Sequence, residues 1–264
     1  MAIADGLYWE AHGPHAAPPV ILSAGLGGSA HYWTPNLTAL AERHRVIVYD
    51  HRGTGRSDRA LDAAVTIEAM ATDVESVLDA AGLQSASLVG HAIGGMIGLA
   101  LAMARPERLD ALVVINGWAT LDPHTARCFD TRLTLLRCAG PRAYLHAQPL
   151  FLYPPRWISE HHSALEAEEE AMLASFPAAD TIERRVAAAR RFAPGDRLGT
   201  IATPTLLVAN DDDMLVPPQC SQALADAIPG AQLASFATGG HACNVTRAEI
   251  FNMQLLDWLA AEED

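Results

Sequence analysis

The sequence lacks long apolar runs and is poor in positive charge. No apolar stretch approaches the ~20 residues that a helix needs to cross a bilayer, so we expect no membrane-spanning segment. The N-terminal MAIADGLYWE has no basic region followed by an apolar one, so we also expect no signal peptide. The 264 residues include 18 Lys and Arg against 31 Asp and Glu, a formal net charge of -13. A chain this acidic repels phosphate backbones, which argues against a nucleic-acid partner.

The four cysteines, Cys128, Cys138, Cys220 and Cys243, form no CxxC pair and show no metal-ligand spacing. They are typical of reduced thiols in a cytoplasmic protein. The sequence has no Rossmann or P-loop glycine pattern for a nucleotide, and no clustered His, Asp and Glu for a metal. We therefore expect a small-molecule substrate, no cofactor and no metal, in a protein that is a monomer or a homodimer.

Short apolar runs alternate with helical patterns along most of the chain. After Thr66, the apolar residues Ile67, Met70 and Val74 recur at helical spacing, and Gly82 is typical of a helix end. Fully apolar strands that alternate with amphipathic helices predict an α/β fold, with a mostly parallel central sheet and helices on both faces. The predicted strands are residues 20–24, 45–50, 85–90, 111–117, 205–210 and 231–236.

Residues 119–195 break this alternation, because their composition is helical and they contain no convincing strand. An all-helical insertion between two strands of a sheet predicts a cap over the core. We therefore divide the chain into a core of residues 1–118 and 196–264 and a helical cap of residues 119–195. The acidic run Glu166–Glu170 within the cap is interpreted as a solvated helix face.

The segment Gly90-His91-Ala92-Ile93-Gly94 lies between a predicted strand and a predicted helix. A G-x-S-x-G nucleophile elbow occurs in this context, with small residues that permit the sharp turn. The helix N-terminus that follows directs its dipole and free N–H groups at the site. The central residue here is Ala92, which has no nucleophilic atom. A glycine-rich turn that serves packing alone is the structural alternative.

Two further glycine-containing segments follow predicted strands. In the loop Ser23–Ser29, glycines allow backbone N–H groups to turn toward a bound oxyanion, although any tight loop uses glycine. The segment Asp50–Ser57 is interpreted as a structural turn at a strand end. Ser23 and Ser29 are interpreted as loop hydrogen-bonding residues, since neither lies on the elbow.

An acid and a histidine follow later strands, in a meaningful order. Asp213 comes just after the strand of residues 205–210, and His241 follows the next strand behind two glycines. Ala92, Asp213 and His241 keep the chain order of elbow, acid and histidine that catalytic triads of one hydrolase fold use. Asp211 and Asp212 compete for the acid position. Asp213 is favoured by its spacing from the Val-Pro pair three residues later.

Together, these patterns resemble the α/β-hydrolase superfamily over essentially the whole chain. Longer strings resemble a narrower family, the aminoacrylate/carbamate hydrolases of the Rut pathway of pyrimidine degradation. In that family the elbow also reads Gly-His-Ala, which implies that Ala92 is the native residue. The strings are Asn116–Trp118, Arg127–Phe129, Gln148–Pro154 and Gly240–Thr246.

The resemblance implies a hydrolase that acts on a small C–N bond substrate, carbamate or aminoacrylate, in pyrimidine nitrogen catabolism. His241, oriented by Asp213, would activate water as a general base, since no serine is present. The known oxyanion hole of the fold corresponds here to the N–H groups of Leu26 and Ile93. The residues expected to line the substrate pocket are Gly25, His91 and Trp118.

Other interpretations of the alanine remain open from the sequence. Ala92 is the product of an engineered Ser→Ala replacement in a serine hydrolase, or the chain is a ligand-binding protein of the same fold without catalysis. A cofactor-free oxygenase or lyase that uses the histidine-acid dyad is a further alternative. Cys243, two residues after His241, is interpreted as a small buried hydrophobic residue and not as a substitute nucleophile.

Overall fold

A computed structural model describes residues 2–263 of the chain. Eight strands form one sheet in the order β1-β2-β4-β3-β5-β6-β7-β8. Their bounds are β1 Ala2–Ala4, β2 Leu7–His12, β3 Pro19–Ser23, β4 Arg45–Tyr49, β5 Ala86–His91, β6 Leu109–Ile115, β7 Thr205–Asn210 and β8 Gln232–Phe236. The strands β3 to β8 are parallel to one another, whereas β1 and β2 pair antiparallel at one edge. The predicted mostly parallel α/β sheet is confirmed.

Ten α-helices within residues 2–263 connect and cover these strands. Their bounds are α1 Thr34–Ala41, α2 Ile67–Ala80, α3 Ile93–Ala104, α4 Pro123–Leu152, α5 Pro155–Glu160, α6 His162–Ala174, α7 Ala179–Arg191, α8 Gln219–Ala227, α9 Cys243–Thr246 and α10 Ala248–Glu263. The predicted start of α2 has a physical basis, because the Thr66 side chain accepts a hydrogen bond from the Ala69 N–H at 3.1 Å. Gly82, at φ 71°, follows its end. No helix within residues 2–263 is long and apolar enough to span a membrane.

The two faces of the sheet bury two separate apolar cores, because side chains alternate along each strand. In β3, Ile21 belongs to one core while Val20 and Leu22 belong to the other. The helices α2, α3 and α8 cover the first face, and α1 and α10 cover the second. Strands buried on both faces read as continuous apolar runs, which is why the sequence predicted them.

The antiparallel pair β1 and β2 and the helix α1 were absent from the sequence prediction. β1 spans only three residues and is mostly exposed, and β2 ends in the partly exposed Glu10, Ala11 and His12. Such an edge strand carries no continuous apolar run. It was therefore not recognised beside the fully buried strands.

The helices α4 to α7 lie between β6 and β7 in the chain. α4 is broken at Gly140, whose φ of 82° and ψ of -178° are not helical, directly before Pro141. The buried face of α4 includes Phe129, which packs at 6.0 Å between ring centroids on Trp118 at the end of β6. This contact joins the helical segment to the core.

The sheet order places a crevice at one particular point. β4 lies on one side of β3 and β5 on the other, so the connections leave β3 and β5 in opposite directions. Ser23 at the end of β3 pairs with Gly90 in β5. Ligands of open α/β sheets bind outside the carboxyl ends of strands at such a switch point. The glycine loop after β3 and the elbow after β5 therefore border the same crevice.

Candidate active site

The elbow residue Ala92 has φ 50° and ψ -109°, a conformation that strongly favours glycine. A non-glycine residue held there costs on the order of 1–3 kcal/mol. The close packing of the turn also explains its glycines. A Cβ atom at Gly94 would lie 2.0 Å from the Ser23 carbonyl oxygen, and one at Gly90 would lie 2.3 Å from the Gly94 oxygen.

One carboxylate after β7 and one imidazole ring after β8 form a buried dyad. His241 Nδ1 lies 2.7 Å from Asp213 Oδ2, and both side chains are almost fully buried. Asp213 Oδ1 accepts hydrogen bonds from the N–H groups of Leu215, at 2.7 Å, and Val216, at 2.9 Å. These bonds fix the carboxylate, whose Oδ2 atom accepts a hydrogen bond from the Nδ1–H group of His241. The Nε2 atom of His241 is thereby left as the basic nitrogen.

The two competing acids have other positions. Asp212 accepts hydrogen bonds from the N–H groups of Gly239, at 3.1 Å, and Gly240, at 2.8 Å, so it holds the loop before His241. Asp211 is exposed. Of the three consecutive acids, Asp213 is the one that reaches the imidazole ring.

The backbone carbonyl of His241 accepts hydrogen bonds from two side chains. His91 Nε2 and Asn116 Nδ2 each donate to the His241 carbonyl oxygen at 2.8 Å. The His91 ring stacks on Tyr32 with centroids 4.9 Å apart, and its burial lowers the pKa of His91 well below the usual value. His91 therefore supports the dyad as a neutral ring. Asn116 was not identified as a site residue in the sequence.

The N–H groups of Leu26 and Ile93 donate no hydrogen bond to another group in the described part of the chain. Ile93 is the first residue of α3, where helical N–H groups have no intrahelical acceptor. Free donors beside a helix N-terminus are suited to stabilise a negatively charged oxygen.

Arg185 of α7 fixes the orientation of the glycine loop. Its guanidinium donates to the Gly25 carbonyl at 3.2 Å, to the Leu26 carbonyl at 3.0 Å and to His51 Nδ1 at 2.8 Å. In a trans peptide, the C=O of Gly25 and the N–H of Leu26 point in opposite directions. Because Arg185 holds that carbonyl on one side, the Leu26 N–H is directed to the other. No sequence pattern indicated this contact, which joins residues 160 positions apart.

Most of the predicted site residues line one cavity of about 140 Å³. Its walls include Trp118 and, from α4, Phe129 and Arg132. Asp213 is not part of the wall and lies behind His241. The predicted residues that line the cavity are Gly25, Leu26, His91, Ala92, Ile93, Trp118 and His241.

Other potential nucleophiles are unsuited to replace a serine at position 92. Cys243 is fully buried, and burial raises the pKa of its thiol to about 12. Ser23 is also fully buried, and its hydroxyl bonds to Tyr49 at 2.8 Å and His51 at 3.2 Å. Neither provides an ionisable or free group beside the dyad. Within residues 2–263 no three His, Cys, Asp or Glu side chains are grouped to hold a metal ion.

The segment Asp50–Ser57 forms a turn held by hydrogen bonds to one carboxylate. Asp50 accepts from the N–H groups of Ala30 and Arg56, each at 2.8 Å, and also binds the Arg56 guanidinium. The Ser57 hydroxyl donates to the Asp50 carbonyl. These contacts join the glycine loop to the end of β4, which is a structural role.

The fold and the elbow, acid and histidine order define the class of the chain. The family model described as alpha/beta hydrolase fold matches residues 18–137. Among solved structures, an enol-lactonase from Burkholderia xenovorans has a TM-score of 0.89 at 25% identity, covering 98% of this chain and 99% of that one. A hydrolase from Pseudomonas aeruginosa has a TM-score of 0.86 at 27% identity, with coverages of 96% and 94%. The chain is an α/β-hydrolase-fold protein.

Curated relatives narrow this class. A Caulobacter sp. protein provisionally named carbamate hydrolase RutD is 51% identical, covering 98% of this chain and 97% of that protein. A Variovorax paradoxus protein of the same provisional name is 50% identical over 96% of each chain. At this identity and coverage, the chain belongs to the RutD family of α/β-hydrolase-fold hydrolases. The expected enzyme class and the predicted family are confirmed.

Proposed function

We propose that this protein hydrolyses the C–N bond of carbamate, or of the related small acid aminoacrylate, with water activated directly by His241. The carbamate substrate is suggested by the names of its relatives. The observation that carries the mechanism is a complete His241–Asp213 dyad, with a 2.7 Å bond, beside an elbow whose central residue is Ala92. The place of a side-chain nucleophile is then available to water.

For carbamate, the proposed steps balance without any further reactant. His241 Nε2 takes a proton from water while the water oxygen bonds to the carbamate carbon. The N–H groups of Leu26 and Ile93 stabilise the charge that accumulates on the carbamate oxygens. The C–N bond then breaks as His241 returns the proton to nitrogen. The products are ammonia and bicarbonate, and no covalent enzyme intermediate forms.

The hydrolysis of aminoacrylate would use the same dyad and N–H donors, but water would add to a different carbon atom. It also contains a carboxylate and a C–N bond, so its hydrolysis also releases ammonia. An ammonia assay with each substrate therefore decides between them.

The rate that such a site must supply is modest. Serine proteases stripped of their triad retain a ~10³–10⁴-fold acceleration from the oxyanion hole and substrate binding. Here the dyad remains in addition to the oxyanion donors. Because carbamate also decomposes unaided, an acceleration of this size is sufficient for a useful enzyme.

The test compares ammonia release by the wild type, His241→Ala and Cys243→Ala at one pH, after subtraction of the uncatalysed decay. We expect His241→Ala to remove the enzymatic rate, because no other base replaces Nε2. Cys243→Ala should retain the rate, since the Cys243 thiol is buried and protonated. Full activity in His241→Ala would contradict the proposal and would favour a non-catalytic binding protein.

A further inference from the structure

Arg132 of the cap is a buried cation without a carboxylate partner. It is 4% exposed and lies on the apolar face of α4, one turn from Cys128 and Phe129. Its Nη2 atom donates to the Tyr144 hydroxyl at 2.7 Å and to Gln148 Oε1 at 3.2 Å, and its Nε atom has no hydrogen-bond partner. No carboxylate within residues 2–263 forms an ion pair with it.

A buried charge in a folded protein is normally paired, because an unpaired ion in the interior loses several kcal/mol of hydration. Neutral partners such as Tyr144 and Gln148 offset only part of this loss. An arginine left in this state in the wall of a cavity has one natural complement, an anion that enters the cavity. Arg132 contributes to the wall of the 140 Å³ cavity that also contains Ala92 and His241.

A second buried cation increases the positive charge of this region. Arg185 is fully buried, and its hydrogen bonds within residues 2–263 go to two backbone carbonyls and to the His51 ring. Both buried arginines lie inside a chain with a net charge of -13. The acidic exterior would repel an anion. The cavity itself therefore has to supply the attraction.

We propose that Arg132 binds the carboxylate group of the substrate and makes the cavity selective for small carboxylate anions. A guanidinium presents charged N–H donors in a planar fork that suits carboxylate oxygens. Because Nη2 of Arg132 already donates to Tyr144 and Gln148, Nη1 and Nε supply the donors that remain for the substrate. The inference rests on the proposed function, since carbamate and aminoacrylate both contain this group. It assigns Arg132 to substrate binding. In carbamate the carboxylate carbon is also the reacting carbon, so Arg132 would share the two oxygens with the N–H groups of Leu26 and Ile93 while the C–N bond is directed toward the dyad.

Glu168 also lines the cavity, and its carboxylate opposes the binding of an anion there. No ion pair among residues 2–263 joins Glu168 to Arg132, so the two groups are not directly paired. Replacement by glutamine removes one negative charge at nearly constant shape. Glu168→Gln should therefore strengthen the binding of an anion, whereas loss of Arg132 should weaken it.

The experiment measures binding and needs no turnover. Isothermal titration calorimetry compares propionate with propionamide, two probes of nearly the same shape that differ in charge. The wild type should bind propionate more tightly than propionamide. Arg132→Gln should weaken propionate binding at least about tenfold and leave propionamide unchanged, since a hydrogen bond to a charged group is lost.

Arg127→Gln is the matched control, because Arg127 is an exposed arginine of the same helix and does not line the cavity. It should bind both probes as the wild type does. If Arg132→Gln does not fold, Arg132→Lys keeps the charge but loses the fork, and should retain only part of the preference for propionate.

Equal binding of the two probes by the wild type would overturn the inference, as would undiminished propionate binding by Arg132→Gln. An enzyme that binds propionate through Arg132 but releases no ammonia from carbamate or aminoacrylate would refute the proposed function alone.

Discussion

Two buried imidazole rings make the stability of this protein sensitive to mild acid. His51 Nδ1 accepts a hydrogen bond from Arg185, so a proton at Nδ1 would face a guanidinium. His91 donates through Nε2, and its buried Nδ1 has no partner. Burial lowers the pKa of both rings well below the usual value, and the charge of Arg185 lowers the pKa of His51 further.

The sign and size of the effect follow from proton linkage. Above pH ~6.5 both rings are neutral in the folded and the unfolded chain, so neither changes stability with pH. Below that value the unfolded chain binds a proton on each ring that the folded chain does not bind. For rings that stay neutral in the folded chain, this lowers the free energy of unfolding at pH 5.5 by at most about 1.4 kcal/mol per ring, or at most about 3 kcal/mol together. That loss is a large fraction of a typical stability of 5–15 kcal/mol.

Urea unfolding followed by tryptophan fluorescence at pH 7.5 and pH 5.5 measures this difference. We expect His91→Gln and His51→Gln each to remove about half of the pH-dependent loss. His15→Gln, at an exposed position, should leave it unchanged. A free energy of unfolding that is the same at both pH values in the wild type would refute the reasoning.

Two further predictions concern the oxyanion hole and the elbow. Ala92→Ser places a hydroxyl at the elbow beside the dyad. A fluorophosphonate should therefore label this variant at position 92, while the wild type stays unlabelled there. If neither protein is labelled, the elbow does not face His241. Arg185→Gln removes the contacts that orient the Gly25–Leu26 peptide, and loss of one oxyanion donor costs about 10²–10³ in kcat. We expect kcat to fall by that factor in Arg185→Gln, with little change in KM. Arg184→Gln, at the neighbouring position of α7, should retain kcat. An unchanged kcat in Arg185→Gln would show that the loop keeps its conformation without the arginine.

The parts of the fold that the sequence predicted are those whose signal is local. β7 was predicted with its observed bounds, because Thr205–Asn210 is buried along its whole length and reads as one apolar run. The order of Ala92, Asp213 and His241 is likewise readable, since each follows a strand in a fixed sequence. Asp213 was distinguishable from Asp211 and Asp212 only by its spacing to Val-Pro.

The site residues that the sequence did not reveal act over long separations. Asn116 bonds to the carbonyl of a residue 125 positions later, and Arg185 to a loop 160 positions earlier. No local pattern contains such a pair. Arg132 was detectable in principle, as a charge on the face of α4 that also includes Cys128 and Phe129, but its lack of a carboxylate partner becomes visible only in three dimensions.

The elbow keeps a strained backbone conformation although Ala92 supplies no nucleophile, which supports a role for the turn in the proposed hydrolysis. A turn that served packing alone could relax Ala92 to an ordinary conformation, yet the residue keeps φ 50° and ψ -109° at a cost on the order of 1–3 kcal/mol. That conformation makes Ile93 the first residue of α3, with an N–H that has no acceptor among residues 2–263. The strain therefore supports a free donor and a helix N-terminus in the cavity. In the proposed mechanism both would contribute to the hydrolysis of an anion by water, and neither would require a serine.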